Sequence, residues 1–316
     1  MIRITLSPLS WVGLAALFVA CAPLSSPQTQ NTPTAILRAT RTLAPIETPG
    51  AVAHIVPSTQ PIAEPTGTPL PAASAAKPTP LAVQPCRETQ GGLSVADFDS
   101  ATLGRRIAYS LYLPPCYDAD PQRVYPVLYL LHGVNADHTQ WPDLNVAPEA
   151  DALIAQRAIA LLVIVMPDGD YRASEDYAAF VLRDLMPHVE QTTRVSRERA
   201  DRAIGGLSRG GYWALYLALL HPDLFSAVGG HSPVINPALT EALALPAGAA
   251  ERSTLRIYLD VGRNDPLAPS VASFAAAAQA HHLNSVFHLY DGANNRDYWC
   301  AHTAEYLVRY AADWRR

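Results

Sequence analysis

The chain has 316 residues, of which 49% are hydrophobic and 16% charged, and its formal net charge is −5. That length and apolar content suit one large α/β domain with a lightly charged surface. The charge excludes the basic footprint of a nucleic-acid binder and gives no support to a membrane-surface or acidic ligand.

Residues 1–21 read as an export signal. Arg3 supplies a positive start, and the apolar run over residues 11–20 is too short to cross a bilayer. It ends in Phe18-Val19-Ala20-Cys21, which resembles the cleavage site of bacterial lipoproteins, with phenylalanine where leucine is usual. A lipid on Cys21 is then the expected link to the membrane, at the outer face of the cell. An ordinary cleavage gives a secreted protein instead. Residues 22–85 hold 13 of the 28 prolines, no aromatic residue and five charged ones. Such a segment buries too little apolar surface to offset the entropy of ordering, so a disordered linker is expected.

The globular domain spans residues 86–316. Cys86 opens it and Cys116 follows its first strand. In an exported chain these two are expected to pair, leaving Cys300 as a buried free thiol on the closing helix. Ile107, Tyr109, Leu111 and Leu113 alternate as in a half-buried strand. Residues 124–131 are a continuous apolar run, expected for a strand covered on both faces. A turn-rich loop follows over 132–138. Residues 148–157 read as a helix with Pro148 at its first position, 160–166 as a buried strand and 175–190 as a helix. Further strands are expected over 202–205, 226–230, 255–261 and 285–290, with helices after Ser208, near 271–280 and over 297–314. Strands rich in Val, Ile and Leu, alternating with helices, predict a mostly parallel sheet covered by helices on both faces. Ligands bind such sheets outside the carboxyl ends of the strands.

Residues 202–212 organise this domain. Ser208 lies in Gly206-Leu207-Ser208-Arg209-Gly210, a G-x-S-x-G sequence between a strand-like run and a helical one. A serine on so tight a turn is held with its hydroxyl above the sheet. The hydroxyl is a poor nucleophile until a base takes its proton, an acid orients the base and N–H donors await the oxyanion. The expected donors are the backbone N–H groups of Arg209, after the nucleophile, and Val134, after His132-Gly133. His132 itself is read as a structural loop residue.

Leu113-Pro114-Pro115-Cys116-Tyr117, Tyr125-Pro126-Val127-Leu128-Tyr129-Leu130-Leu131-His132-Gly133 and Gly206-Leu207-Ser208-Arg209-Gly210-Gly211 carry a family resemblance over about residues 100–316. Together they resemble the esterase family of α/β-hydrolases, the group around S-formylglutathione hydrolase, microbial feruloyl esterases and the antigen 85 mycolyltransferases. The resemblance implies an α/β-hydrolase fold and reaction of a small ester substrate through an acyl-serine, with no metal and no cofactor. It implies the acid at Asp265, past Gly262, whereas Asp260 is still within the strand. It also implies a histidine base in a Gly-x-His stretch ahead of a tryptophan. Here that stretch reads Asp291-Gly292-Ala293-Asn294-Asn295-Arg296-Asp297-Tyr298-Trp299. Asn294 stands in the histidine's place, and an amide is no proton acceptor near neutral pH.

Two other histidines bear on the base. His302, three residues after Trp299 and four before Tyr306, is read as packing on their helix face. His231 follows the strand next to the nucleophile strand and is close to the same rim. Two functions stay open on these residues: a serine esterase that is slow or uses a relocated base, and an esterase scaffold kept as a cell-surface binding module. Removing residues 1–85 is expected to leave a folded, soluble domain. Cooperative thermal unfolding followed by circular dichroism checks this, and an aggregating truncated chain contradicts the boundary.

Overall fold

The computed structural model describes residues 86–169, 174–245 and 249–314. The signal and linker readings, Cys21 included, lie outside the described residues. Eight strands form one sheet in the order β1-β2-β4-β3-β5-β6-β7-β8. The hairpin of β1 (Gly92–Ser100) and β2 (Arg105–Leu113) joins β4 (Val163–Pro167) in antiparallel fashion. The rest is parallel: β3 (Val127–Leu131), β5 (Arg202–Leu207), β6 (Ala227–His231), β7 (Arg256–Gly262) and β8 (Ser285–Tyr290).

The two-residue period of the strands sorts side chains to two faces. Val127, Tyr129 and Leu131 face one core with Ile204, Val228 and Leu259, whereas Leu128 and Leu130 face the other with Ala203, Leu207 and Tyr258. The first face is covered by α3 (Ser174–Ala179), which continues through a π-helical turn (Phe180–Leu185) into α4 (Met186–Thr192). It also carries α5 (Arg209–Leu220), α6 (Pro237–Ala244) and α8 (Ala268–Ala280). The second face is covered by α1 (Gln140–Asp143), α2 (Val146–Ala155) and α9 (Arg296–Tyr310). A short α7 (Ala249–Thr254) precedes β7. Among the described residues no helix is long and apolar enough to cross a membrane.

Several boundaries differ from expectation for local reasons. β3 starts at Val127, not residue 124, because Pro126 has no N–H for a ladder; Tyr125 keeps one isolated bridge, to Val195. α2 starts at Val146, so Pro148 is its third residue, still within the first turn where N–H groups have no intrahelical acceptor. β1 was not foreseen. Its Leu93 and Val95 are 48% and 64% exposed, so no buried period marks it. Cys86 and Cys116 are joined in a disulfide as expected. Cys300 is not a free thiol: it is disulfide-bonded and only half-buried.

Between β5 and α5 the chain turns within one residue. Ser208 has φ 51° and ψ −110°, a combination that an L side chain disfavours. Main-chain bonds hold it there: Ser208 N–H donates to the His231 carbonyl at 2.9 Å, and the Ser208 carbonyl accepts from Tyr212 N–H at 3.1 Å and Val234 N–H at 3.0 Å. A Cβ on Gly210 would come within 2.4 Å of the Leu131 and His132 carbonyl oxygens, so only glycine lets α5 rest this close to β3. Strain of about 1–3 kcal/mol at Ser208, less the extra chain entropy of glycine at roughly 0.5–1 kcal/mol, gives a clear expectation. Ser208→Gly should raise unfolding stability by about 1 kcal/mol, whereas Ser208→Ala, which keeps the Cβ, should not. Denaturant unfolding of the two variants checks it.

Candidate active site

The carboxyl ends of the parallel strands carry the site. The oxyanion loop leaves β3 through His132, which is 1% exposed and whose Nδ1 lies 2.7 Å from the Gly133 carbonyl. Its burial lowers the imidazole pKa, and its Nε2 lies 3.8 Å from Asp168. This agrees with a structural role for His132. Gly133 N–H donates to Gln140 Oε1 at 2.6 Å, so the next N–H along the loop is that of Val134, whose side chain is 57% exposed. Trp141 Nε1 ties the loop's base to the Leu131 carbonyl at 3.1 Å. Gln140 and Trp141 were not singled out from sequence; their signal was proximity to His132-Gly133. On the other side, Arg209 opens α5 directly after Ser208.

Asp265 follows β7 and is 3% exposed. Its Oδ1 accepts from Leu267 N–H at 2.8 Å and from the Asn294 amide at 3.4 Å, while its buried Oδ2 has no hydrogen-bond partner among the described residues. The loops holding these two residues are stitched together: Arg263 N–H donates to the Tyr290 carbonyl at 2.7 Å and Asn264 N–H to the Gly292 carbonyl at 2.8 Å. Asp265 and Asn294 are thus brought together. Among the described residues no hydrogen bond links the Ser208 hydroxyl to Asn294. An imidazole has nitrogens on opposite edges of its ring, one for the acid and one for the hydroxyl. The shorter amide contacts the acid alone.

Among the described residues neither alternative histidine hydrogen-bonds the Ser208 hydroxyl. His231 is fully buried, with Nδ1 2.6 Å from Asp260 Oδ1 and Nε2 2.7 Å from the Tyr310 hydroxyl, so both ring nitrogens are engaged below the rim. His302 stacks on Tyr290 with ring centroids 4.4 Å apart and lies beside Tyr298, its Nδ1 3.7 Å from Glu305. Burial lowers its pKa, and the packing role read from its helix position holds. A cleft of about 310 Å³ runs between the oxyanion loop and the start of α9, lined by Asn135, Asp137, Gln140, Asp143, Arg296 and Trp299. Arg296 fixes one wall by donating to the Asp143 carbonyl at 2.8 Å.

Comparisons with known proteins bear on the fold and the family. A curated endo-1,4-beta-xylanase/feruloyl esterase of Xylanibacter ruminicola is 29% identical over 153 residues, 44% of this chain and 21% of that protein. The chain thus matches about a fifth of the length of that relative. Among solved structures, a ferulic acid esterase superposes with a TM-score of 0.67 at 23% identity, covering 71% of this chain and all of the other. An S-formylglutathione hydrolase from Staphylococcus aureus gives 0.59 at 19% identity, covering 70% and 97%. The fold is therefore that of the α/β-hydrolase esterases. The model of the family described as "Putative esterase" matches residues 100–310, and the chain belongs to that esterase family.

Proposed function

We propose that the domain is a serine esterase-like hydrolase acting on carboxylic esters through Ser208, and that its turnover is slow because Asn294 occupies the place of the base. The observation that carries this reading is the contact between the Asn294 amide and Asp265, with the acid's second oxygen left unpartnered. The acid is still oriented for a base, and the group facing it takes no proton. In the proposed reaction the ester carbonyl lies over Ser208, its oxygen toward the N–H groups of Val134 and Arg209. The serine proton then leaves to solvent hydroxide, forming water, rather than to an imidazole. Loss of a triad member costs about 10⁴- to 10⁶-fold in turnover, and the oxyanion donors retain roughly 10³-fold over water. The feruloyl esterases among the relatives make hydroxycinnamate esters the first substrates to test. No metal or cofactor is needed for this chemistry.

The missing base also favours a second reading, in which the scaffold binds an ester or related ligand at the cell surface without turning it over. A chromogenic ester separates the two. Turnover lost in Ser208→Ala supports the enzyme; equal background in both proteins supports the binder. On the first reading, Asn294→His should raise turnover at least about 10²-fold, and the gain should disappear when Ser208 or Asp265 is also replaced.

Export rests on residues 1–21, with anchoring by a lipid on Cys21. Peptide mass analysis of the native protein should find acyl chains on Cys21. An unmodified Cys21 would contradict the anchor and leave only a cleaved signal.

A further inference from the structure

Below the candidate site lies a buried polar cluster that the proposed reaction does not use. His231 and Asp260 are both fully buried. Asp260 Oδ1 lies 2.6 Å from His231 Nδ1, and its Oδ2 accepts from the hydroxyls of Tyr298 at 2.6 Å and Tyr306 at 2.9 Å. The imidazole stacks on the Tyr306 ring, centroids 3.5 Å apart, and its Nε2 meets the Tyr310 hydroxyl, which sits over Gly205 and Gly229. Burial, reinforced by the Asp260 charge, raises the Tyr298, Tyr306 and Tyr310 hydroxyls far above their ordinary range, so they remain donors. Polar groups buried this deeply are costly unless satisfied, and here each oxygen of Asp260 and each nitrogen of His231 has a partner.

The cluster is tied to the site along its upper edge. Ser208 N–H donates to the His231 carbonyl at 2.9 Å, and Ser232 N–H donates to the Asp260 carbonyl at 2.8 Å. Asp260 lies on the strand that leads into Asp265. Tyr298 fills the space over Gly292, where φ is 134° and a Cβ would come within 2.5 Å of the ring. Its N–H is capped by Asn295 Oδ1 at 3.0 Å. Gly292 and Asn295 flank Asn294, so the Tyr298 hydroxyl anchors the loop that carries residue 294.

We propose that Asp260 and Tyr298 are positioning residues: their hydrogen bond fixes the loop 292–295 and thereby sets the side chain at position 294 against Asp265. This rests on the reading of position 294 as the place of the base. Of the cluster's other members, His231 and Tyr306 complete the hydrogen bonding of the buried acid, and Tyr310 bonds His231.

The test introduces an imidazole with Asn294→His and follows its protonation by NMR, a readout that needs no turnover. Beside the Asp265 carboxylate, the new imidazole should titrate about one pH unit above its ordinary value of about 6.5. Adding Tyr298→Phe keeps the ring over Gly292 but removes the hydroxyl. It should lower that pKa by about half a unit or more and reduce ester kcat about 10-fold with KM little changed, as expected when a group is misplaced rather than removed. Asp260→Asn should move both quantities the same way, which covers the case in which Tyr298→Phe folds poorly. Tyr310→Phe deletes a hydroxyl at the far end of the cluster; it should lower Tm to a similar extent yet leave the imidazole pKa in place. An elevated pKa that ignores Tyr298→Phe and Asp260→Asn, or that falls equally with Tyr310→Phe, overturns the positioning role and leaves a stabilising cluster. An ordinary pKa with Asn294→His alone, and no gain in turnover, overturns the assignment of position 294, and the positioning role with it.

Discussion

Helix α5 meets the sheet at Gly210, whose Cα faces the carbonyl oxygens of Leu131 and His132 with no room for a side chain. That close approach is the constraint on which the site depends. It brings the first turn of α5 against the end of β3, so the N–H after Ser208 and the loop after His132 share one side of the rim. It also forces the chain to reverse within a single residue, which puts Ser208 at φ 51°. The fold therefore spends backbone strain to raise one hydroxyl above the sheet, a cost of the kind found at functional sites.

On the proposed reading, asparagine at position 294 departs little in volume and much in chemistry from the histidine expected there. Asn294 keeps contact with Asp265 but provides no second edge toward the nucleophile and no basic nitrogen. The histidines near the rim are engaged elsewhere: His231 bonds Asp260 and Tyr310 through its two nitrogens, and His302 is stacked on Tyr290 and beside Tyr298. The structure presents the strained turn at Ser208 and the contact between Asn294 and Asp265; on the proposed reading these are the nucleophile turn, the acid and the replaced base.

The features carried by local pattern were legible in the sequence. The buried strands announced themselves by apolar runs and the turn at Ser208 by glycine spacing, whereas the roles read for Asp265 and position 294 rest on their order along the family's motifs alone. What escaped had non-local causes. β1 has no apolar period because its side chains are largely exposed. The start of α2 was misplaced because proline is tolerated throughout a first helical turn. The Asp260 cluster joins residues 29 to 79 positions apart, so no window of sequence contains it. Its faint signal was the stripe of Tyr298, Tyr306 and Tyr310 on one helix together with small glycines on the facing strands. Cys300 was misread because its sequence context carries no mark of its partner.

The most direct measurement is the pH dependence of the Ser208-dependent part of ester turnover in the natural protein, obtained by subtracting the rate of a Ser208→Ala control. An enzyme without a titrating base should show a rate that keeps rising with pH, roughly tenfold per unit, with no plateau near neutrality, as hydroxide replaces the absent general base. A rate that levels off around an apparent pKa of about 6–7.5, in the range of an imidazole, would show that a histidine does serve Ser208 and would contradict the account.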